Sequence, residues 1–127
     1  MLTSPKVLIV EDDRPLNRLF QKSFTAATFH TAQAYSLADA LRLLQQDQFS
    51  VIVLDLGLPD GQGWEIVDKL GDRLHQIPEV IMVTGREISE IPEAYAQKYH
   101  VFRKPVDLTQ LIRLAIQLQS KHRSKSL

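Results

Sequence analysis

Four short stretches hold the residues able to do chemistry. Glu11-Asp12-Asp13 follows Val7-Leu8-Ile9-Val10, and Asp55 follows Val51-Ile52-Val53-Leu54. Thr84 follows Val80-Ile81-Met82-Val83, and Lys104-Pro105 closes Val101-Phe102-Arg103. Each group therefore ends a short run rich in β-branched or aromatic residues. Strands that run parallel would deliver all of these groups to one sheet edge, where open α/β sheets bind ligands at the point of strand-order reversal. With the first and third strands adjacent there, Glu11, Asp12 and Asp55 converge. Close carboxylates repel and raise one another's pKa, so the arrangement calls for a cation. Carboxylates with carbonyls and water form a hard oxygen site suited to Mg²⁺, and to Mn²⁺ by the same logic. The carbonyl of Gly57 could add a backbone ligand, and Lys104 a second positive charge. Asp13 reads as a helix cap rather than a further ligand.

With such a cation the natural anionic guest is a phosphoryl group. A carboxylate can then act as nucleophile and become an aspartyl-phosphate, which gives Asp55 that part. Lys104 would pair with one phosphoryl oxygen and the Thr84 hydroxyl would donate to another. The glycine-rich loop 57–63 is expected to leave backbone N–H groups free to approach the anion. Asp60, within LPDG, reads as a turn residue.

The elements that must position these groups alternate. Beside the apolar runs at 7–10, 51–54 and 80–83, more polar strands are expected at 29–34 and 101–104, as suits sheet edges. Leu16, Leu19, Phe20, Ser23, Phe24 and Ala27 mark an amphipathic helix capped by Asp13, with Pro15 in its first turn. Ser36 and Asp39 resemble a capping box for a second helix with Leu37, Ala40, Leu41 and Leu44 inward. A third runs from about Gly63 to Leu70 with Ile66, Val67 and Leu70 inward, Gly71 as its C-cap and a partly buried Trp64 opening it. Pro92 predicts a short or broken helix within 86–98. Asp107 caps the last helix, whose apolar residues (Leu111, Ile112, Leu114, Ala115, Ile116, Leu118) exceed one stripe, through burial on two sides or a partner-facing surface. The βα alternation implies an α/β fold with a parallel sheet covered on both faces.

The 127 residues suit a single domain, with a core at about 5–119 and a polar basic tail at 120–127 that reads as a frayed end or as the start of a linker. Hydrophobic residues make up 44% and charged residues 24%, with 15 basic and 15 acidic side chains. That balance argues against nucleic-acid or anionic-membrane binding through this domain. Cysteine is absent, which excludes disulfides and thiolate chemistry. The N-terminus reads as neither a signal peptide nor a membrane span, so a cytoplasmic setting is expected. The histidines at 30, 75, 100 and 122 have no metal-site spacing and read as surface residues.

VLIVEDD, VIVLDLGLPDGQG, VIMVTG and VFRKPV, in this order, resemble the receiver domain of two-component response regulators, over about residues 5–119. The resemblance implies a flavodoxin-like (βα)5 fold with five parallel strands in the order 2-1-3-4-5. It implies Asp55 as phospho-acceptor, Asp12 as direct Mg²⁺ ligand, Glu11 acting through water, and the Gly57 carbonyl completing the set. Thr84 would be the switch hydroxyl and Lys104 the phosphate partner, with a cis Lys104–Pro105 bond. The donor would be a phosphohistidine on a sensor histidine kinase or a histidine phosphotransfer protein. The activity would be self-phosphorylation with slow autophosphatase action rather than turnover. Helix 4, strand 5 and helix 5 would form the output face, with a homodimer as one use of it.

Two departures stand out. The family places an aromatic three residues before the lysine, where this chain has Val101, with Phe102 one place on and facing the other way in a regular strand. An Ala-Gly turn usually precedes strand 5, where this chain reads Gln97-Lys98-Tyr99-His100. Arg86, two residues past Thr84, falls near the expected phosphoryl group and could slow hydrolysis. The alternative function is a receiver-like protein-binding module that works without phosphorylation.

Overall fold

Apart from a small hairpin after the third strand, strands and helices alternate in the computed structural model, which describes residues 4–73 and 78–126. The strands are β1 (Lys6–Val10), β2 (His30–Ala34), β3 (Val51–Asp55), a miniature hairpin of β4 (Gly57–Leu58) and β5 (Gly61–Gln62), β6 (Glu79–Thr84) and β7 (His100–Arg103). The helices are α1 (Arg14–Ala26), α2 (Leu37–Gln46), α3 (Trp64–Arg73), α4 (Glu93–Lys98) and α5 (Leu108–Ser126), with a 3₁₀ turn at Ile88–Glu90. The main sheet is parallel, in the order β2-β1-β3-β6-β7. Setting the hairpin aside, that is the order 2-1-3-4-5.

The central strands are apolar throughout because both of their faces are covered. Val7 to Val10 and Val51 to Leu54 are almost wholly buried. Alternate residues feed two separate cores. Leu8, Val10, Ile52, Leu54, Val80 and Met82 pack with α2 and α3, whereas Val7, Ile9, Val51, Val53, Ile81 and Val83 pack with α1 and α5. The edge strands β2 and β7 are half-exposed, as their polarity predicts.

Local signals set the helix starts. The Asp13 carboxylate accepts from the Leu16 N–H at 3.1 Å, with Pro15 in the first turn. Ser36 accepts from the Asp39 N–H at 3.1 Å. The Asp39 carboxylate reaches back to the N–H of Tyr35 rather than of Ser36, at 3.3 Å, so the capping box closes one residue early. Asp107 caps α5 through the Gln110 N–H at 3.1 Å. Pro92 stands at the N-cap of α4 and divides it from the 3₁₀ turn, the interruption its ring demands.

Four expectations need correction. Leu19 faces solvent, and Asn17 takes the inward position with Phe20 and Phe24. The helix begins in the phase set by Asp13, and that phase turns position 17 toward the sheet. Gly71 does not end α3, which continues to Arg73; glycine inside a helix costs about 1 kcal/mol, too little to stop one. The tail is helical through Ser126, since 119–126 contains neither glycine nor proline to break α5. The edge strands sit one residue away from their expected bounds: Phe29 precedes β2, its ring edge-on to Phe24, and β7 starts at His100. In α5, Leu111, Ala115 and Leu118 are buried while Ile116 is exposed. His30 and His100 are exposed; His75 and the side chain of His122 lie outside what is described.

Candidate functional site

Strand register brings the chemistry together. Val10 pairs with Leu54, so Glu11 and Asp55 follow side by side. Asp55 pairs with Val83, and Thr84 pairs with Arg103, the residue before Lys104. The Lys104 N–H donates to the Thr84 carbonyl at 2.8 Å, which fixes where the lysine leaves the sheet. The Lys104–Pro105 peptide is cis.

Carboxylate oxygens of Glu11, Asp12 and Asp55 lie within 4.8 Å of one another. Glu11, Asp55 and Thr84 are buried, and Asp12 is exposed at the mouth. The Lys104 ammonium stands 2.7 Å from Glu11 Oε1 and 3.5 Å from Asp55 Oδ2. Asp55 Oδ1 accepts from the Gly57 N–H at 3.2 Å, and Glu11 Oε2 accepts from the Asp13 N–H at 3.2 Å. The Glu11 Oε1 contact is an ion pair without regular hydrogen-bond alignment. Burial, followed by the neighbouring Asp55 carboxyl, pushes the Glu11 carboxyl up to about 8, with Lys104 pulling the other way. Burial alone would lower the Lys104 ammonium, but contact with Glu11 and Asp55 outweighs it and raises the group. Two buried carboxylates, Glu11 and Asp55, thus face one ammonium, and their mutual repulsion is only partly offset. A divalent cation among these hard oxygens would remove that frustration, and the donor set fits Mg²⁺.

The Thr84 hydroxyl accepts from the Arg86 N–H at 2.9 Å, an interaction that leaves its own proton available to donate. The Arg86 side chain is exposed, with no carboxylate at ion-pair distance among the described residues. Asp13 is occupied as a cap.

The loop after Asp55 differs from expectation. It folds into the β4–β5 hairpin, and three of its N–H groups are committed: Gly57 to Asp55, Gln62 to Glu65, and Gly63 to the Leu56 carbonyl at 2.9 Å. Gly63 lies directly on the peptide that carries Asp55. A Cβ there would come within 2.3 Å of the Asp55 carbonyl oxygen, so only glycine fits. Asp60 does more than turn the chain. Its carboxylate accepts from the Leu37 and Ala38 N–H groups at 2.8 and 3.1 Å, tying this loop to the start of α2.

Asn17 escaped sequence reasoning altogether. Its buried amide donates to the carbonyls of Glu11 and Ala34 at 2.9 and 3.1 Å and accepts from Gln33 at 2.8 Å. It therefore holds the turn that presents Glu11. A lone asparagine in an amphipathic helix carries no signal of this; only its spacing of three from Phe20 hints at an inward place.

Val101 packs on the α2–α3 side of the sheet, into the core that also takes Ile91, Tyr95 and Tyr99, and Phe102 packs on the opposite side. The opposite facing of these two residues is thus as the strand alternation predicts.

Among the described residues no helix is long and apolar enough to cross a membrane. A family profile described as "Response regulator receiver domain" matches residues 7–116. The response regulator protein PilR of Pseudomonas aeruginosa is 30% identical over 112 residues, which cover 87% of this chain and 25% of PilR. The transcriptional regulatory protein PcoR of Escherichia coli is 26% identical over 124 residues, covering 95% of this chain and 54% of PcoR. The chain thus spans from a quarter to about half the length of these two relatives. Among solved structures, a response regulator receiver domain protein (CheY-like) from Methanospirillum hungatei superposes with a TM-score of 0.85 at 21% identity, covering 97% of this chain and 99% of that one. A Francisella response regulator receiver domain gives a TM-score of 0.81 at 23% identity over 93% and 98% of the two chains. Sequence match and shared fold agree: the chain belongs to the response regulator receiver domain family of two-component signalling.

Proposed function

We propose that Asp55 is the phospho-acceptor of a Mg²⁺-dependent receiver. One observation carries the reading: three carboxylates within 4.8 Å of one another, with the Lys104 ammonium against two of them. Glu11, Asp12, Asp55 and the Gly57 carbonyl would hold the ion, which supplies neutralisation of charge on the phosphoryl oxygens. An Asp55 oxygen attacks phosphorus as the P–N bond of a phosphohistidine breaks. The imidazole nitrogen keeps the bonding pair and takes up a proton. Lys104 pairs with one phosphoryl oxygen, and the Thr84 hydroxyl donates to another after turning from its place beside Arg86. The near-double negative charge then biases the position of Thr84 and Lys104, and with them α4, β7 and α5. Partners of the proposed kind are a sensor histidine kinase or histidine phosphotransfer protein on the cytoplasmic side, and an output partner or a second copy at that face.

Intact mass after incubation with Mg²⁺ and acetyl phosphate tests this. One phosphoryl adduct is expected, absent from Asp55→Asn and without Mg²⁺; no adduct in wild type would overturn the reading. The phosphorylation-independent binding module is the second reading. It draws on Val101 and Phe102, which leave no ring on the Thr84 side of β7 at the usual place. A chain without Mg²⁺ affinity would favour it.

A further inference from the structure

We propose that Tyr95, clasped by Trp64 and Asp68, carries the phosphorylation state of Asp55 to α4. The inference rests on the reading of Asp55 as phospho-acceptor and concerns how that event leaves the site. Gly63 is the first link, its backbone pressed on the Asp55 peptide so closely that no side chain fits. Its N–H donates to Leu56 and its carbonyl accepts from Ile66 at 3.1 Å, so Gly63 joins the strand end to the first turn of α3.

Trp64 follows immediately. Its ring stacks on Tyr95 with centroids 5.9 Å apart and planes 19° from parallel. The Tyr95 hydroxyl donates to the Asp68 carboxylate, 2.7 Å from either oxygen. Trp64 and Asp68 are four apart on one face of α3, so they grip Tyr95 at its ring and at its tip. A displacement of the α3 start therefore acts on Tyr95 at two points.

The receiving element is easily moved. The six residues of α4 are capped by Pro92 without a side-chain bond, and none of them is fully buried. Such an element belongs to the low-stability end of a fold. Its C-terminal end leads through Tyr99 into β7 and so to Lys104. The phosphorylation site thus reaches α4 from both ends, through Lys104 and through Trp64.

Trp64 is the single tryptophan, so its emission reports on the stack directly. The test uses the full chain with Mg²⁺ alone as baseline, then with acetyl phosphate, occupancy being read by intact mass. In wild type, phosphorylation is expected to shift Trp64 emission and change amide exchange across 93–98. Tyr95→Leu is expected to reach the same occupancy and lose the exchange response of α4. Tyr95→Phe keeps the ring stack, loses the Asp68 bond and is expected to show a reduced response, which serves if the leucine variant does not fold. A phosphorylated wild type with unchanged emission and exchange would overturn the proposal and leave the reading of Asp55 standing. So would either variant with a full α4 response. Absence of the adduct in wild type would overturn that reading and this proposal with it.

Discussion

The Lys104 ammonium lies closer to Glu11, at 2.7 Å, than to Asp55, at 3.5 Å. The lysine that would greet a phosphoryl group on Asp55 is first the counter-charge of its neighbour. Lys104→Met removes that counter-charge from two buried carboxylates. A charge-assisted contact of this kind is worth about 1.5–3 kcal/mol, so phosphorylation by acetyl phosphate is expected to slow by roughly 10- to 100-fold. The variant is also expected to gain Mg²⁺ affinity, because a competing cation has gone. Single-turnover mass kinetics and metal titration check the two effects.

Mg²⁺ is expected to stabilise the fold by relieving repulsion among Glu11, Asp12 and Asp55. At about 100 times its dissociation constant the ion contributes about 2.7 kcal/mol, an upward shift of several degrees in melting temperature. Chelation reverses the shift. Asp12→Asn is expected to lose most of it while folding normally, since Asp12 is exposed. Thermal melts with and without EDTA decide this.

Asp60 caps α2 from a distant loop, and those N–H groups hold its carboxyl below the usual 3.8. A depressed carboxylate contributes stability above its unfolded pKa and loses it as pH falls through the folded value. Asp60→Ala is expected to cost about 1 kcal/mol at neutral pH. The gap between wild type and variant is expected to close as pH is lowered past 3.8. Urea unfolding at neutral and acidic pH measures both.

Asn17→Ala leaves the buried carbonyls of Glu11 and Ala34 without the amide that serves them. The Ala34 carbonyl keeps the Glu11 N–H at 3.0 Å, whereas the Glu11 carbonyl loses its amide donor, a loss of about 1–3 kcal/mol. Loss of stability within that range is expected, together with weaker Mg²⁺ binding because the Glu11 turn is released. Asn17→Leu, which fills the space without donating, is expected to be no better. Chemical denaturation with metal titration separates the two losses.

Most of this site was legible because its residues end strands. Four-residue β-branched runs announce buried parallel strands, and whatever follows them must emerge at one edge. Glu11, Asp55, Thr84 and Lys104 were readable for that reason alone. Helix starts were readable from Asp13, Ser36 and Asp107, whose side chains satisfy local N–H groups. What stayed hidden depended on distance along the chain. Asp60 reads as a turn until α2 is seen beside it, and Asn17 gives no signal until the helix phase is known. The commitment of the Gly57, Gln62 and Gly63 N–H groups followed from a hairpin too short to leave a pattern. The α5 extension shows that polarity alone does not end a helix.

The two flanks of the sheet carry a last consequence. β2 and β7 are short, half-exposed, and each begins with an exposed histidine; β7 also ends on Arg103, which is ion-paired to Glu87. Flanks of this kind make poor templates for a foreign strand. Association by strand addition, the route by which open sheets grow into aggregates, is thereby discouraged on both sides. Recognition is left to helices and loops, which can engage and release a partner without opening the sheet.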